Sequence, residues 1–324
     1  MYPETRFRRL RRGVLRDLFT ETRLNAEDFI MPIFFDETAK ERSQINSMPG
    51  QFRYPLREAG SLAKELAAEG VRSVILFGIP SEKDECASGA FAENGVIQTA
   101  VCEMKKTAPA LVVITDVCAC EYTSHGHCGI ISKTCDGPDL DNDKSLELIG
   151  KIAVSHAKAG ADIVAPSCML DGMISFIRKK LDEAGFSNTP IMSYSSKFAS
   201  ALYGPFREAA DSGFSFGDRK TYQMNPANAR EAFRESEEDV SEGADILMVK
   251  PATFYLDVVA DVKSLGLPVA AYHVSGEYSM IKAAAINGWI DEKKIVLEAM
   301  TSIKRAGADL IITYYTRDLV GWLK

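Results

Sequence analysis

The chain has 324 residues, 46 % hydrophobic and 26 % charged, with a formal net charge of −7. That length and balance predict a packed core and exclude a mainly disordered chain, while the acidic sign argues against a nucleic-acid partner. No apolar run approaches the roughly 20 residues that span a bilayer, and the start lacks the apolar stretch of a secretory signal, so no membrane partner and a cytoplasmic location are expected.

The first 25 residues stand apart. Arg6, Arg8, Arg9, Arg11, Arg12 and Arg16 make them basic in an acidic chain. They read as an extended N-terminal arm (residues 1–25) before one unbroken domain (26–324). By itself such an arm is either a solvated tail or a docking segment.

From residue 29 onward, short β-rich apolar runs alternate with helical spacing. Strands are predicted at 29–36, 71–78, 111–118, 161–166, 190–197, 244–250, 267–274 and 308–315. Nearly continuous apolar character marks parallel strands buried on both faces. Helical spacing occupies intervals such as 56–69, 145–159, 228–242 and 293–306. Gly-Ala-Asp recurs at Gly160, Gly243 and Gly307, each closing a helix and opening a strand, and Gly70 closes another. Glycine suits the left-handed turn past a helix end. Eight such units predict an α/β fold, a (β/α)8 barrel of the triosephosphate-isomerase type, with a doubly wound open sheet as the alternative.

In these barrels the active site forms at the C-terminal ends of the strands. The third predicted strand runs into Asp116, Cys118 and Cys120, and Cys128 returns after a glycine-containing loop. Cys118 and Cys120 are two apart and point the same way along an extended chain. Three thiolates can hold zinc and leave a fourth position open, as a catalytic site requires. Buried inert thiols, or a zinc closed by His125 or His127, are the alternatives. Cys135 is a weaker ligand candidate, and Cys86 and Cys102 read as packing residues.

The fourth strand ends at Ser167-Cys168, the fifth at Lys197 and the sixth at Lys250, after an aliphatic run. Burial favours the neutral amine, which can attack a ketone to form a Schiff base. A solvated strand end or an ion pair is the plain alternative for either lysine alone. Between these strands lies a long segment with Arg207, Arg219 and Gln223, read as a loop over the site. Arginine there would clasp a carboxylate, or simply carry surface charge. Ser275 and Tyr314 lie at the ends of the seventh and eighth strands.

With these residues in view, the chain resembles the porphobilinogen synthase (5-aminolaevulinate dehydratase) family over nearly its whole length. The segment from Gly243 to Tyr255, Gly-Ala-Asp-Ile-Leu-Met-Val-Lys-Pro-Ala-Thr-Phe-Tyr, is similar to the family's lysine signature throughout. The segment Asp116–Gly129 resembles the zinc-dependent version. The resemblance implies that two 5-aminolaevulinate molecules condense to porphobilinogen in one site, with loss of two waters. It implies that Lys250 holds the substrate forming the propionate (P) side and Lys197 the acetate-side (A) partner. It assigns Ser275 and Tyr314 to the P-side carboxylate, Asp116 and Ser167 to the P-side amino group, and Arg207, Arg219 and Gln223 to the A-side carboxylate. Cys118, Cys120 and Cys128 would hold zinc. Glu235 matches a position tied to an allosteric magnesium, and the family pattern implies a homo-oligomer, commonly an octamer with the arm wrapped around a neighbour. One departure stands out: Cys168 and Met173 replace the family's aspartate and arginine after the fourth strand. Cys168 reads as a neutral spacer, with thiol oxidation or metal ligation as other readings. Competing functions are a metal-free class I aldolase on the same fold and a non-catalytic zinc-binding oligomer or redox sensor.

Overall fold

The computed structural model describes residues 4–134 and 137–324, so Cys135 lies outside the described residues. Eight strands form the barrel: β1 Phe29–Asp36, β2 Ser73–Ile79, β3 Val112–Val117, β4 Ile163–Pro166, β5 Met192–Lys197, β6 Ile246–Lys250, β7 Val269–His273 and β8 Leu310–Thr313. Each pairs in parallel with its sequence neighbour from β1 to β4 and from β5 to β8, and β1 pairs with β8. The barrel closes between β4 and β5 through an isolated bridge, Val164 opposite Ile191. There the Val164 amide donates to the Pro190 carbonyl at 3.1 Å. Ile30, Ile33, Val74, Leu76, Val113, Val164, Leu247, Val249 and Ile312 are all buried, as strands with barrel on one side and helices on the other require.

The covering helices include α1 Ala59–Glu69, α2 Val96–Thr107, α3 Asn142–Ala159, α4 Met173–Glu183, α5 Ala229–Glu242, α6 Leu256–Lys263, α7 Ser275–Ile286, α8 Glu292–Ala306 and α9 Thr316–Trp322. Helices α1, α3 and α5 end at Gly70, Gly160 and Gly243, each with φ near +100°. The aspartates of the Gly-Ala-Asp repeat do something the pattern alone did not reveal. Asp162 accepts the Val113 amide at 2.7 Å, Asp245 the Ile191 amide at 2.8 Å and Asp309 the Val269 amide at 2.7 Å. Each carboxylate entering β4, β6 or β8 thus ties down a main-chain amide within one residue of the start of the preceding strand. β4, β6 and β8 each start two residues later than the apolar pattern predicts, just after the Ala-Asp pair.

Two additions flank the barrel. Phe52–Pro55 extends the sheet beside β1 and pairs with Ser43–Gln44, and Ile131–Thr134 pairs with Gly137–Leu140 as a hairpin beyond the third strand. The described part of the arm holds two short turns of helix, Phe7–Arg11 and Val14–Leu18, with no buried residue. Among the described residues, no helix is long and apolar enough to cross a membrane. Cys86 and Cys102 are exposed, which corrects their reading as packing residues. Cys86 lies in a polar surface stretch, and Cys102 lies on the outer face of α2 between buried Val101 and Met104.

Candidate active site at the barrel mouth

β5 and β6 end level with each other, so Lys197 stands opposite Lys250 in register. Both are buried, at 6 % and 5 % exposure, which is unusual for two cations side by side. Lys250 Nζ lies in an aromatic box, 4.4 Å from the Tyr272 ring centre, 5.0 Å from Phe206, 5.1 Å from Tyr194 and 5.2 Å from Tyr203. Burial, reinforced by the Lys197 charge, brings its amine down to about 7. Lys197 Nζ donates to the Ser167 carbonyl at 2.5 Å. Burial pushes Lys197 down as well, but Cys128, Cys118 and Asp116 outweigh it and hold this amine above the usual lysine range. One lysine is therefore poised as a neutral nucleophile and its neighbour as a cation.

Asp116 projects from β3 towards the pair and accepts from Ser167 Oγ at 3.1 Å. Burial raises its carboxyl against the pull of both lysines. The segment after β3 gathers the Sγ atoms of Cys118, Cys120 and Cys128 within 4.8 Å of one another, all buried. Cys118 and Cys120 sulfurs are 3.3 Å apart. Three thiols converging in a buried pocket fit a thiophilic metal, which would relieve the crowding of the ionised sulfurs. His125 and His127 do not close this group. His127 Nδ1 meets Tyr222 Oη and its Nε2 meets the Phe216 carbonyl, both at 3.1 Å.

The chain after β5 folds over the mouth. Arg219 is buried, and its Nη2 donates to the carbonyls of Gly126 and Ser212, each at 2.8 Å. Arg207 stacks 5.1 Å from the Phe214 ring centre. Burial and the nearby Arg219 charge lower its guanidinium. Side-chain nitrogens of Arg207, Arg219 and Gln223 are buried without a protein partner. Such idle donors suit an anion. Lys197, Lys250, Asp116, Ser167, Cys120, Arg207, Arg219 and Gln223 line one cavity together with Glu121, Phe77, Tyr203 and Phe206. Its free space is only about 20 Å³, room for about one water.

Ser275 and Tyr314 are buried beside this cavity and do not line it. Ser275 Oγ accepts the Phe206 amide at 3.0 Å, and Tyr314 Oη meets Tyr272 Oη at 3.2 Å. Glu235 lies elsewhere, on α5, in a surface cleft with Asp139, Asp171, Asn142 and Glu231. Sequence reasoning missed Glu121, which accepts from Cys120 Sγ at 3.3 Å and is raised to about 7 by burial and by Asp116. Its place directly after Cys120 was the available signal. It also missed Glu277, whose carboxylate accepts the Thr253 and Val274 amides at 2.6 Å each and so joins the turns after β6 and β7.

A (β/α)8 barrel with paired buried lysines at its C-terminal mouth, beside three thiols that could hold a metal, defines a class: barrel enzymes with amines and thiols gathered in one buried site. The comparisons narrow it. The delta-aminolevulinic acid dehydratase family model matches residues 4–322. The chain is 58 % identical over 319 residues to the delta-aminolevulinic acid dehydratase of Archaeoglobus fulgidus and 54 % identical over 320 residues to that of Bacillus subtilis, covering 98 % of each chain. Its fold matches the Toxoplasma gondii delta-aminolevulinic acid dehydratase (porphobilinogen synthase), solved with the reaction product porphobilinogen. That match has a TM-score of 0.95 at 41 % identity and covers 99 % of this chain and 92 % of the other. The chain belongs to the delta-aminolevulinic acid dehydratase family.

Proposed function

We propose that this chain is a zinc-dependent porphobilinogen synthase, a cytoplasmic hydro-lyase that condenses two 5-aminolaevulinate molecules to porphobilinogen for tetrapyrrole biosynthesis. The observation that carries this reading is the registered pair Lys197–Lys250 beside the cysteine triad. Each lysine attacks the ketone of one substrate as a neutral amine, Lys197 after giving up a proton, and forms an imine with loss of one water. That accounts for both waters lost overall, and the pair holds two substrates side by side, where proximity replaces a collision in solution. Lys250, close to neutral, accepts the P-side substrate. Lys197 takes the A-side substrate, whose carboxylate meets the idle donors of Arg207, Arg219 and Gln223. Asp116 and Ser167 receive the P-side amino group. Ser275 and Tyr314 receive its carboxylate once the Phe206 amide releases the serine. Cys118, Cys120 and Cys128 would hold zinc, which would keep the A-side amino group near its reaction partner and act as a Lewis acid.

The same reading gives residues 1–25 the role of an arm that packs on a second copy in a homo-oligomer, an octamer by the family pattern, ahead of a catalytic barrel at 26–324. Glu235 becomes a magnesium-linked position.

The test is incubation with 5-aminolaevulinate, with and without a zinc chelator, assaying porphobilinogen, with borohydride trapping in parallel. Product that vanishes on chelation and returns with zinc, with adducts on Lys250 and Lys197, is expected. Product that persists after verified zinc removal would keep the reaction but sink the zinc role. Neither product nor adduct would sink catalysis and leave a zinc-binding oligomer.

A further inference from the structure

The mouth holds a fourth buried sulfur that the function above leaves unused. Cys168 follows Ser167 just past the end of β4 and has no solvent exposure. Its Sγ lies 3.7 Å from Cys118 Sγ, at the edge of the group in which Cys118, Cys120 and Cys128 lie within 4.8 Å of one another. Its thiol also donates to the Val117 carbonyl at 3.7 Å. In a tetrahedral site with metal–sulfur bonds of about 2.3 Å, neighbouring sulfurs stand about 3.75 Å apart. The Cys168–Cys118 spacing matches that edge.

We infer that Cys168 supplies a fourth sulfur to the metal held by Cys118, Cys120 and Cys128, so that the site rests as a four-thiolate shell. This replaces the reading of Cys168 as a neutral spacer, and it rests on the zinc-dependent function proposed above. Three of the sulfurs come from one segment after β3, whereas Cys168 comes from a separate strand end. It can therefore leave the shell without unfolding the segment that carries the others. A four-sulfur shell has no open corner, so Cys168 is the ligand that gives way to a substrate amine.

The experiment is zinc-edge X-ray absorption on the full-length protein, loaded with zinc alone under reducing conditions, beside C168S. Four sulfur neighbours are expected in the parent protein, and three sulfurs with one oxygen or nitrogen in C168S. Loss of zinc to a chelator should be roughly tenfold faster or more in C168S, since altering even outer-shell partners of a metal weakens binding by that much. Three sulfurs in the parent protein would overturn the inference while the zinc reading stood. Zinc bound away from these cysteines, or not at all, would overturn both. The parent spectrum decides by itself, so the result does not hang on how well C168S folds.

Discussion

A lysine that titrates near neutrality changes its chemistry over a range an assay can cover. The neutral fraction of Lys250 grows as pH rises through about 7. Borohydride trapping of 5-aminolaevulinate at this residue should therefore quicken about tenfold per pH unit below 7 and level off above it. K250M should abolish the adduct and lower turnover by roughly 10³-fold or more, the scale set by loss of a nucleophile. An adduct rate flat from pH 5 to 9 would contradict the burial argument. Lys250 was legible in the sequence because a charged residue closes a run of four aliphatics, Ile246 to Val249. Glu121 was not, because one acidic residue after a cysteine looks the same whether it faces solvent or a sealed cavity. The same limit applies to Ser275. Its position at a strand end was readable, but its present partner, the Phe206 amide, lies 69 residues away in sequence.

At the scale of elements, the cysteine loop and the cover are one mechanical unit. Arg219 binds the Gly126 carbonyl, Ser215 donates its amide to His125 at 3.1 Å, and Tyr222 meets His127. Gly126 makes this approach possible: its φ is +74°, and a Cβ there would stand 2.2 Å from the Gly213 oxygen. G126A should destabilise the protein by about 1–3 kcal/mol, the scale of overpacking, and raise KM more than it lowers kcat. Thermal melts and steady-state kinetics check both, and an unchanged KM would separate the loop from the cover. The eight strands themselves were legible because aliphatic continuity survives in the sequence. The clamp by Asp162, Asp245 and Asp309 was not, since it links each aspartate to the strand before it and leaves no local periodicity. That a long segment covers the site was readable from its place between β5 and β6. How tightly it closes was not, because the fit depends on packing of Phe206 and Phe214 over side chains distant in sequence.

For the whole molecule, the arm is the segment with no buried residue among those described. Phe7, Val14, Leu18 and Phe19 are 53–84 % exposed, interleaved with arginines. An apolar surface of this kind calls for a partner. Deleting residues 1–25 should lower the oligomer mass seen by light scattering and leave the melting of the barrel little changed; an unaltered mass would show that the arm is a solvated tail. The barrel wall has an uneven strength of its own. Seven of its joints are laced by ladders, and the eighth, between β4 and β5, by the Val164–Ile191 bridge, with the Lys197–Ser167 bond across its rim. An ammonium carries three donors and a protonated imine only one. Imine formation at Lys197 therefore removes two of the three donors that can serve the Ser167 carbonyl and weakens the rim bond without touching the strands. The Val164 amide should then trade its proton for deuterium faster than its counterparts in β2 and β7, so that occupancy of the lysine is reported as a loosened seam at the opposite end of the same joint.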